Sequence, residues 1–315
     1  QITSPLIFHA NLIARTKQIK LATGVICLPQ YHPAVVAGQC AMFDHLSNGR
    51  FLMGVGPGGL LSDFELFGVM DKDRNEMMME SIDQILELWA TEPPYHIHGK
   101  HWSIEMKEWT HHDIKLGYVP KPLQQPHPPI AVSAMSPNSS SLKYAGSRGF
   151  MPLSANFIAT WSLETHWPTY ATAATAAGHR PDPENWRVAR SVYVDETDAA
   201  AAAFVRQEGG AFDYYYEYLY TIFDRANFKQ PFVVNLGDDP ATLQPRALRD
   251  ACVIHGSPDT VARKILELRE QVGHFGTLLY AAHDWQDEAR MKRSMRLMAQ
   301  EVMPRVNRAL RDKAA

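Results

Sequence analysis

The sequence predicts an α/β fold with a parallel sheet, and two observations lead to this prediction. Short apolar segments with strand character alternate with amphipathic helical segments along nearly the whole chain, as they do where helices connect parallel strands. Glycines and hydroxyl-bearing residues follow several of the apolar segments, and the carboxyl ends of parallel strands are where α/β folds bind ligands. A chain of 315 residues can bury one large core, so we expect a single domain over residues 1–315.

The elements can be placed in order from their apolar periodicity and their flanking residues. Pro29 ends the first strand, Asn48-Gly49 ends the helix that follows, and the apolar run that begins at Phe51 is short enough for a buried parallel strand. The predicted strands cover residues 19–28, 51–55, 129–134, 150–153, 187–194 and 276–282. The predicted helices cover residues 33–46, 74–89, 139–144, 161–177, 198–220, 258–272 and 287–306.

Two segments interrupt this alternation. Residues 93–128 are rich in proline and histidine, and we expect an insertion made of a hairpin and a long loop. Residues 221–251 carry few regular signals, and we expect a lid over the ligand-binding face. Several histidines of the first segment have the spacing of metal ligands, but they lie away from the strand ends. We therefore expect no metal.

Composition and charge exclude several classes of function. The net charge of −3 gives no electrostatic reason to bind nucleic acid or an anionic membrane. No apolar run approaches the ~20 residues that span a bilayer, and the first residues lack the basic and apolar regions of a secretory signal. Cys27, Cys40 and Cys252 are scattered in apolar surroundings, as expected for reduced, buried thiols. These features predict a cytoplasmic protein that binds neither nucleic acid nor membrane.

The stretch from Leu21 to Arg74 carries the most specific motifs. It contains a strand that ends in LP, an HP that opens the next helix, and then FDHLSNGR, FLMGVG and DFELFG. Together these motifs resemble the bacterial-luciferase-like flavin monooxygenases. Later segments extend the resemblance almost to the end of the chain and are similar to the limonene and diketocamphane monooxygenase branch; they read PHPPIAVSAMSP, GSPDTVARKILEL, FGTLLYAAHDW and EVMP.

The resemblance implies a TIM (β/α)8 barrel of the luciferase-like type. Six strands can be placed, whereas a closed barrel of this kind has eight, and a six-stranded barrel would expose two sheet edges. Residues 1–16 resemble the second helix of the family. We therefore expect that the first βα unit and the second strand, roughly 50–70 residues, are missing from this sequence.

The resemblance also implies FMN as the cofactor and assigns residues to it. Ala22, Thr23 and Gly24 would lie beneath the flavin ring, where small side chains leave room. Pro57 stands where the family's glycine loop carries an arginine, which favours a loosely held flavin. Close packing in a barrel layer and helix capping explain the same residues without a ligand. The predicted flavin-binding residues are Ala22, Thr23, Gly24, Gly56, Gly58, Arg74, Ser133, Ala134, Met135, Ser136, Ser139 and Ser140.

The serine-rich segment after residue 134 is the expected site of the flavin phosphate. Ser136 or Asn138 can cap the helix that follows, and Pro137 suits its first turn. A helix N-terminus that carries hydroxyl groups is an anion site. In the family an arginine near the position of Arg74 also contacts the phosphate.

His283 is the expected catalytic residue, because it ends the last predicted strand, where polar groups reach the ligand-binding face. It could hydrogen-bond a flavin-bound oxygen or a substrate carbonyl. Trp285 is expected to form a wall of the substrate pocket, together with Tyr214 and Tyr218 from the predicted helix 198–220. Core packing and a subunit interface explain the two tyrosines as well. The family's usual catalytic histidine belongs to the segment that we expect to be missing.

These implications define an expected function. Reduced FMN, supplied by a separate flavin reductase, reacts with O2 to form a C4a-peroxyflavin, which oxygenates a small apolar substrate of the terpenoid or cyclic ketone type. A deazaflavin-dependent oxidoreductase and a non-catalytic flavin-binding protein stay open as alternatives. The family commonly dimerises through helices beside its early strands, so we expect a homodimer formed by helices 33–46 and 74–89.

Overall fold

Parallel strands joined by helices occur in both parts of the chain, as the sequence predicts. The structure is a computed structural model that describes residues 4–283 and 285–314. The chain divides into two units, Gln1–Ser133 and Ala134–Ala315, and each contains its own parallel strand pairs, which confirms the α/β class. Among the described residues, no helix combines the length and the apolar character that crossing a membrane requires.

The first unit is built around one central strand. Its elements are α1 Pro5–Ile13, β1 Leu21–Ala22, β2 Ile26–Cys27, α2 Pro33–Leu46, β3 Phe51–Gly56, α3 Leu61–Leu66, α4 Arg74–Ala90, β4 His96–His98, β5 Ser103–Glu105 and β6 Ile130–Ala134. The last residue of β6 already belongs to the second unit. β3 pairs in parallel with β1, β2 and β6 and is buried over nearly its whole length, as a short apolar strand should be.

The predicted strand 19–28 consists of two short strands, β1 and β2, because a side chain interrupts the ladder. The Thr23 hydroxyl donates to the Gly54 carbonyl at 2.8 Å and accepts from the Gly54 N–H at 2.9 Å. A Cβ on Gly54 would lie 1.9 Å from the Thr23 carbonyl oxygen, so only glycine permits this close approach. The interruption is therefore a specific feature that Thr23 and Gly54 build together.

Helix α4 begins where the sequence predicts, because Asp73 caps it. The Asp73 carboxylate accepts hydrogen bonds from the N–H groups of Asn75 and Glu76. The indole N–H of Trp89, near the end of the helix, donates to the Ala37 carbonyl of α2 at 3.2 Å. The apolar side of α4 is thus buried inside the first unit; its buried residues include Met77, Met78, Ile82, Ile85 and Leu88.

Residues 93–128 contain an antiparallel hairpin of β4 and β5. Glu80 on α4 accepts hydrogen bonds from three successive backbone N–H groups of the hairpin turn, which holds the turn against the helix. His96 and His98 each lie 3.2 Å from the Glu105 carboxylate on the facing strand. In residues 4–283 and 285–314, no group of three or more His, Cys, Asp or Glu side chains could hold a metal ion.

The second unit is built around β8. Its elements are α5 Ser140–Ser147, β7 Met151–Ser154, α6 Thr160–Glu164, α7 His166–Ala176, β8 Arg187–Val194, α8 Asp198–Val205, α9 Ala211–Arg225, α10 Pro245–Cys252, β9 Val253–Gly256, α11 Pro258–Val272, β10 Thr277–Ala281, α12 Glu288–Leu297 and α13 Met303–Ala314. β8 pairs in parallel with β7, β9 and β10. Its register with β10 places Ser191 beside Ala281.

Several elements of this unit differ from the prediction. The predicted helix 198–220 is two helices, α8 and α9, because the chain turns at Gly209, whose φ of +66° suits glycine. The predicted helix 161–177 is likewise two helices, which meet at Thr165. The sequence does not predict β9, because its four residues are too few to show an alternating pattern.

The segment 221–251, predicted as a lid, packs into the core of the second unit. Phe232 is fully buried and stacks on Phe223, with their ring centroids 3.6 Å apart. The segment leads into α10, where Arg249 pairs with Asp213 of α9 at 2.8 Å. Opening of this segment would have to separate these contacts, and its role as a lid stays a prediction.

Candidate active site

His283 follows β10 and contacts the neighbouring strand β8. Its Nε2 lies 2.8 Å from the Ser191 hydroxyl. The register of the two strands, with Ala281 beside Ser191, brings the end of one strand to the interior of the next. The expected catalytic residue is therefore held by a side chain distant in sequence.

Three aromatic side chains of α9 surround the His283 imidazole. The ring centroids of Tyr215, Phe212 and Tyr216 lie 4.1, 4.8 and 6.5 Å from that of His283. Such apolar surroundings disfavour the charged imidazolium, and burial lowers the pKa of His283 to about 4. At neutral pH the imidazole is therefore uncharged and offers one donor and one acceptor nitrogen.

Polar groups from several elements meet at Ser191. Asn156, which follows β7, donates from Nδ2 to the Ser191 hydroxyl at 2.9 Å, and the Tyr216 hydroxyl lies 3.2 Å from the same oxygen. The Tyr215 hydroxyl donates to Asn156 Oδ1 at 3.3 Å. Burial raises the pKa of Tyr215 to about 12 and that of Tyr216 well above its ordinary value, so both phenols keep their protons. None of these four residues is among the site residues predicted from the sequence.

The helical repeat of α9 could have identified the inward tyrosine. Phe212, Tyr216 and Phe223 are buried and have the spacing of one helix face. Tyr214 and Tyr218, the predicted substrate residues, are 65% and 44% exposed and stack on each other with centroids 6.3 Å apart. The helix therefore directs different tyrosines toward the imidazole, and a role of Tyr214 and Tyr218 in substrate binding stays a prediction.

Trp285, the predicted wall of the substrate pocket, is 42% exposed. Its neighbour Asp284 lies outside the described residues. An exposed indole has apolar surface available for a ligand or for another chain, so the predicted role of Trp285 stays a prediction.

The serine-rich segment leads into α5. The predicted cap, Ser136 or Asn138, is wrong: Ser139 is the N-cap residue, and its hydroxyl makes no capping hydrogen bond. Asn138 has a φ of +52° and donates its N–H to the Thr165 hydroxyl at 2.9 Å, and the Ser136 carbonyl lies 3.0 Å from His166 Nε2. These bonds hold the segment in place ahead of α5.

The other predicted residues of this segment differ in exposure. Ser140 is exposed and Ser139 is half-buried, so a phosphate can reach both hydroxyls. Ala134 is buried, and its carbonyl accepts from the Ala155 N–H at 3.0 Å. Met135 packs against the core of the second unit. The two serines are therefore more accessible to a ligand than Ala134 and Met135 are.

Ala22 and Gly24 line a cavity of the first unit that has a volume of about 230 Å³. A Cβ on Gly24 would meet no atom within 4 Å, so this backbone faces open space. Thr23, between them, is buried, and its hydroxyl is bound to β3. A ligand can therefore approach Ala22 and Gly24, whereas the Thr23 side chain is inaccessible to it. The other lining residues of the cavity are Pro5, Phe8, His9 and Val25.

The glycine loop after β3 is connected to Arg74 through one aromatic ring. Gly58 has a φ of +83°, and a Cβ there would lie 3.1 Å from the Phe64 ring. The Arg74 guanidinium stacks on the same ring at 4.0 Å, and its Nη1 donates only to backbone carbonyls in the part of the chain that the structure describes. Gly56 is required by packing, since its Cβ would lie 2.6 Å from Ser133 Oγ.

Comparisons with known proteins agree on one family. The family model for luciferase-like monooxygenases matches residues 1–274. The 3,6-diketocamphane 1,6-monooxygenase of Pseudomonas putida is 32% identical to this chain over 97% of this chain and 85% of its own. The limonene 1,2-monooxygenase of Rhodococcus erythropolis is 31% identical over 97% of this chain and 74% of its own.

A solved structure supports the same assignment. The oxygenating constituent of 3,6-diketocamphane monooxygenase from Pseudomonas putida is a type II Baeyer–Villiger monooxygenase in complex with FMN. It superposes on this chain with a TM-score of 0.83 at 32% identity, covering 96% of this chain and 84% of that chain. The predicted luciferase-like TIM-barrel class is thereby confirmed. The chain belongs to the luciferase-like monooxygenase family.

Proposed function

We propose that this flavin-dependent monooxygenase uses reduced FMN and O2 to oxygenate a small apolar substrate of the terpenoid or cyclic ketone type, and that a separate flavin reductase supplies the reduced flavin. The observation that carries the proposal is the uncharged His283 imidazole inside an aromatic cluster. The names of the relatives, which refer to diketocamphane, to limonene and to an oxygenating constituent, support the substrate class and the separate reductase.

The surroundings of His283 favour an uncharged substrate. Phe212, Tyr215 and Tyr216 place apolar rings around the imidazole, and both phenols are neutral at physiological pH. A charged ligand would lose its hydration here without gaining a charged partner from these residues. A terpenoid or a cyclic ketone matches the site better, because it buries carbon surface and presents few polar atoms.

Each unit carries groups that fit FMN. In the first unit, Ala22 and Gly24 border open space of the kind that a planar ring needs. In the second unit, the first turn of α5 offers backbone N–H groups and the hydroxyls of Ser139 and Ser140 to a phosphate. Arg74 is the cation that we assign to the flavin, since Phe64 holds it at the glycine loop. When bound, reduced FMN supplies the electrons that activate O2.

The protein itself contributes positioning and the exclusion of water. His283 forms a hydrogen bond to a ligand oxygen without introducing a charge. The aromatic rings of α9 keep water from the imidazole, and this strengthens the hydrogen bond. A single well-placed hydrogen-bond group in such surroundings contributes roughly 10²- to 10³-fold to a rate.

Oxygen-isotope transfer tests the proposal. The protein is mixed with a flavin reductase, FMN, NADH and a panel of monoterpenes and cyclic terpenoid ketones under ¹⁸O₂. We expect one ¹⁸O atom in the product of at least one panel compound, and none when the reductase or FMN is omitted. Reduction or oxidation of a panel compound with a deazaflavin and without O2 would contradict the proposal, as would hydrogen peroxide as the sole product of O2 with every compound.

We also propose that the protein forms a homodimer in the cytoplasm, with α2 in the interface. Val35, Met42 and Leu46 of α2 are 48%, 58% and 59% exposed and have the spacing of one helix face. The apolar side of α4 is already buried within the first unit, so α2 is the stronger candidate. Light scattering should show a dimer for the wild type and a monomer for Met42→Lys; a monomeric wild type would contradict this proposal.

A further inference from the structure

The second unit contains two serine–histidine pairs. In the first pair, both imidazole nitrogens have hydrogen-bond partners within the protein. The Ser154 hydroxyl lies 2.8 Å from His166 Nδ1, and His166 Nε2 lies 3.0 Å from the Ser136 carbonyl. A carbonyl only accepts hydrogen bonds, so Nε2 carries the proton and Ser154 donates to Nδ1. The Ser154 oxygen accepts in turn from the Trp186 indole N–H at 2.9 Å. Both nitrogens of His166 are therefore occupied, and this residue is structural.

In the second pair, the proton positions follow from the groups around Ser191. The Asn156 amide donates to the Ser191 oxygen at 2.9 Å and occupies one lone pair. The Tyr216 hydroxyl lies 3.2 Å away, is fully buried, and has no other hydrogen-bond partner among the described residues. Ser191 has one proton and one further lone pair to share between Tyr216 and His283 Nε2.

Two proton arrangements are possible, and they differ in cost. If Tyr216 donates to Ser191, then Ser191 donates to His283 Nε2 and each of these protons has an acceptor. If Ser191 instead donates to Tyr216, His283 Nε2 must donate to Ser191, and the buried phenol proton of Tyr216 has no acceptor. An unpaired buried donor lowers the population of the second arrangement by a factor of roughly 10 to 100, so the first arrangement dominates.

We infer that Ser191 is a positioning residue that fixes His283 as the Nδ1–H tautomer. Nδ1 has no hydrogen-bond partner within residues 4–283 and 285–314 and then presents a donor. A donor selects an acceptor oxygen on a bound ligand, whereas an acceptor nitrogen would select a hydroxyl or an N–H group. The statement about a ligand rests on the proposed function, whereas the tautomer does not depend on it.

Nitrogen NMR tests the tautomer directly. The full chain, labelled with ¹⁵N-histidine and free of flavin, is measured at pH 7, and His283 and His166 are assigned from His283→Gln and His166→Gln. We expect a protonated Nδ1 for His283 and a protonated Nε2 for His166, so that one sample contains both tautomers and each is a reference for the other. A protonated Nε2 on His283 would overturn the inference.

Variants of Ser191 test its role. Ser191→Ala removes the proton that holds Nε2, and we expect His283 to exchange between its two tautomers. Ser191→Thr keeps a hydroxyl and should give the wild-type signals. Ser294→Ala is the matched control: Ser294 is fully buried, accepts from the Val194 N–H at 2.8 Å and lies 2.9 Å from the Tyr280 hydroxyl. An unchanged tautomer in Ser191→Ala would contradict the role of Ser191.

The oxygenation assay adds a kinetic criterion. We expect Ser191→Ala to lower kcat about tenfold, the factor carried by one hydrogen bond of ordinary strength, with a smaller change in KM and recovery in Ser191→Thr. A raised KM with an unchanged kcat would contradict a positioning role in the reaction. If NMR shows the Nδ1–H tautomer while no panel compound gains ¹⁸O, the proposed function fails and the assignment of the tautomer stands. If a panel compound gains ¹⁸O while NMR shows a protonated Nε2 on His283, only the inference about Ser191 and the tautomer fails.

Discussion

One buried and two half-buried histidines link the stability of this protein to pH. Burial lowers the pKa of His166, His255 and His283 to about 4 each, whereas an imidazole in an unfolded chain has a pKa near 6.5. Between these two values the unfolded chain binds protons that the folded protein does not bind. Stability therefore falls as the pH falls from about 6.5 to about 4, and these groups have no effect at higher pH.

His283→Gln removes one of the three imidazoles that bind a proton when the chain unfolds. We expect the free energy of unfolding of the wild type to fall as the pH falls through this window. That of the variant should fall less steeply, because unfolding of the variant takes up as much as one proton fewer. The difference accumulates to at most about 3 kcal/mol at pH 4. Urea unfolding at a series of pH values measures both slopes. Equal slopes for the two proteins would contradict a lowered pKa of His283 in the folded protein.

At the scale of elements, two glycines at the interrupted strand differ in the space available for a Cβ. Gly54 has the Thr23 carbonyl in the place where a Cβ would go, whereas Gly24 faces open space. The first glycine therefore serves the packing of β3 against the preceding segment, and the second is available to a ligand. Gly38, within α2, also has nothing within 4 Å of a Cβ and is a matched control outside the cavity.

Alanine substitutions separate these two requirements. We expect Gly54→Ala to lower the free energy of unfolding by about 3 kcal/mol or more, because a backbone atom must move. Gly24→Ala should change stability by less than about 0.5 kcal/mol and weaken FMN binding by roughly 1–3 kcal/mol. Gly38→Ala should stabilise the helix by about 0.5–1 kcal/mol without affecting FMN. Urea unfolding and flavin fluorescence measure the two quantities, and tight FMN binding by Gly24→Ala would contradict the assigned ring position.

A buried ion pair joins α9, which carries the aromatic cluster, to α10. Asp213 and Arg249 are 6% and 4% exposed, and their charged atoms are 2.8 Å apart. Asp213 also accepts a hydrogen bond from the Gly209 N–H at 3.1 Å, where the chain enters α9. Removal of Asp213 would leave the buried Arg249 guanidinium with only the partly exposed Asp250 carboxylate, 3.0 Å away, as an ion-pair partner.

We therefore expect Asp213→Ala to destabilise the protein by about 3–5 kcal/mol. The double variant Asp213→Ala with Arg249→Met should recover part of this loss, since no member of the pair is left buried and charged, and Asp250, which loses Arg249, is partly exposed to solvent. Glu208→Ala, which removes an exposed partner of Arg246, should cost less than about 1 kcal/mol. Urea unfolding of the wild type and these three variants measures the losses, and a double variant that is no more stable than Asp213→Ala would contradict the expectation.

At the scale of the whole molecule, a ligand that binds the folded chain but not the unfolded chain raises the stability of the protein. At a free concentration of about 100 times Kd this linkage amounts to about 2.7 kcal/mol. FMN and riboflavin share the ring and differ in the phosphate, so the difference between their effects isolates the phosphate site. The proposal assigns that site to the first turn of α5.

We expect reduced FMN, kept under anaerobic conditions, to raise Tm more than reduced riboflavin does. The double variant Ser139→Ala with Ser140→Ala should lower the FMN effect toward that of riboflavin. Ser147→Ala, at the other end of the same helix, should leave it unchanged. Thermal unfolding measures all three, and an equal Tm increase with FMN and riboflavin in the wild type would contradict a phosphate site on this chain.

Local signals explain which elements could be predicted. The helices predicted at 33–46 and 74–89 coincide with α2 and α4 to within one residue, because Pro33 and Asp73 mark their starts by local chemistry. Strand β9 has only four residues, too few to show an alternating pattern, and it is held by pairing with β8. Helix α10 lies in a segment with few regular signals and is held against α9 by the hydrogen bond from Arg249 to Asp213. The break at Thr23 depends on a hydrogen bond to Gly54, which no local pattern records.

The sequence by itself determined the alternation of strands and helices, the family, and the place of His283 at a strand end, because these depend on local periodicity and on motifs. Only the tertiary structure decided which side chains meet at that histidine. Ser191 is 92 residues away along the chain, and the inward tyrosines differ from the predicted ones. The physical reason is that strand register and helix rotation place these groups, and both are set by packing between distant segments.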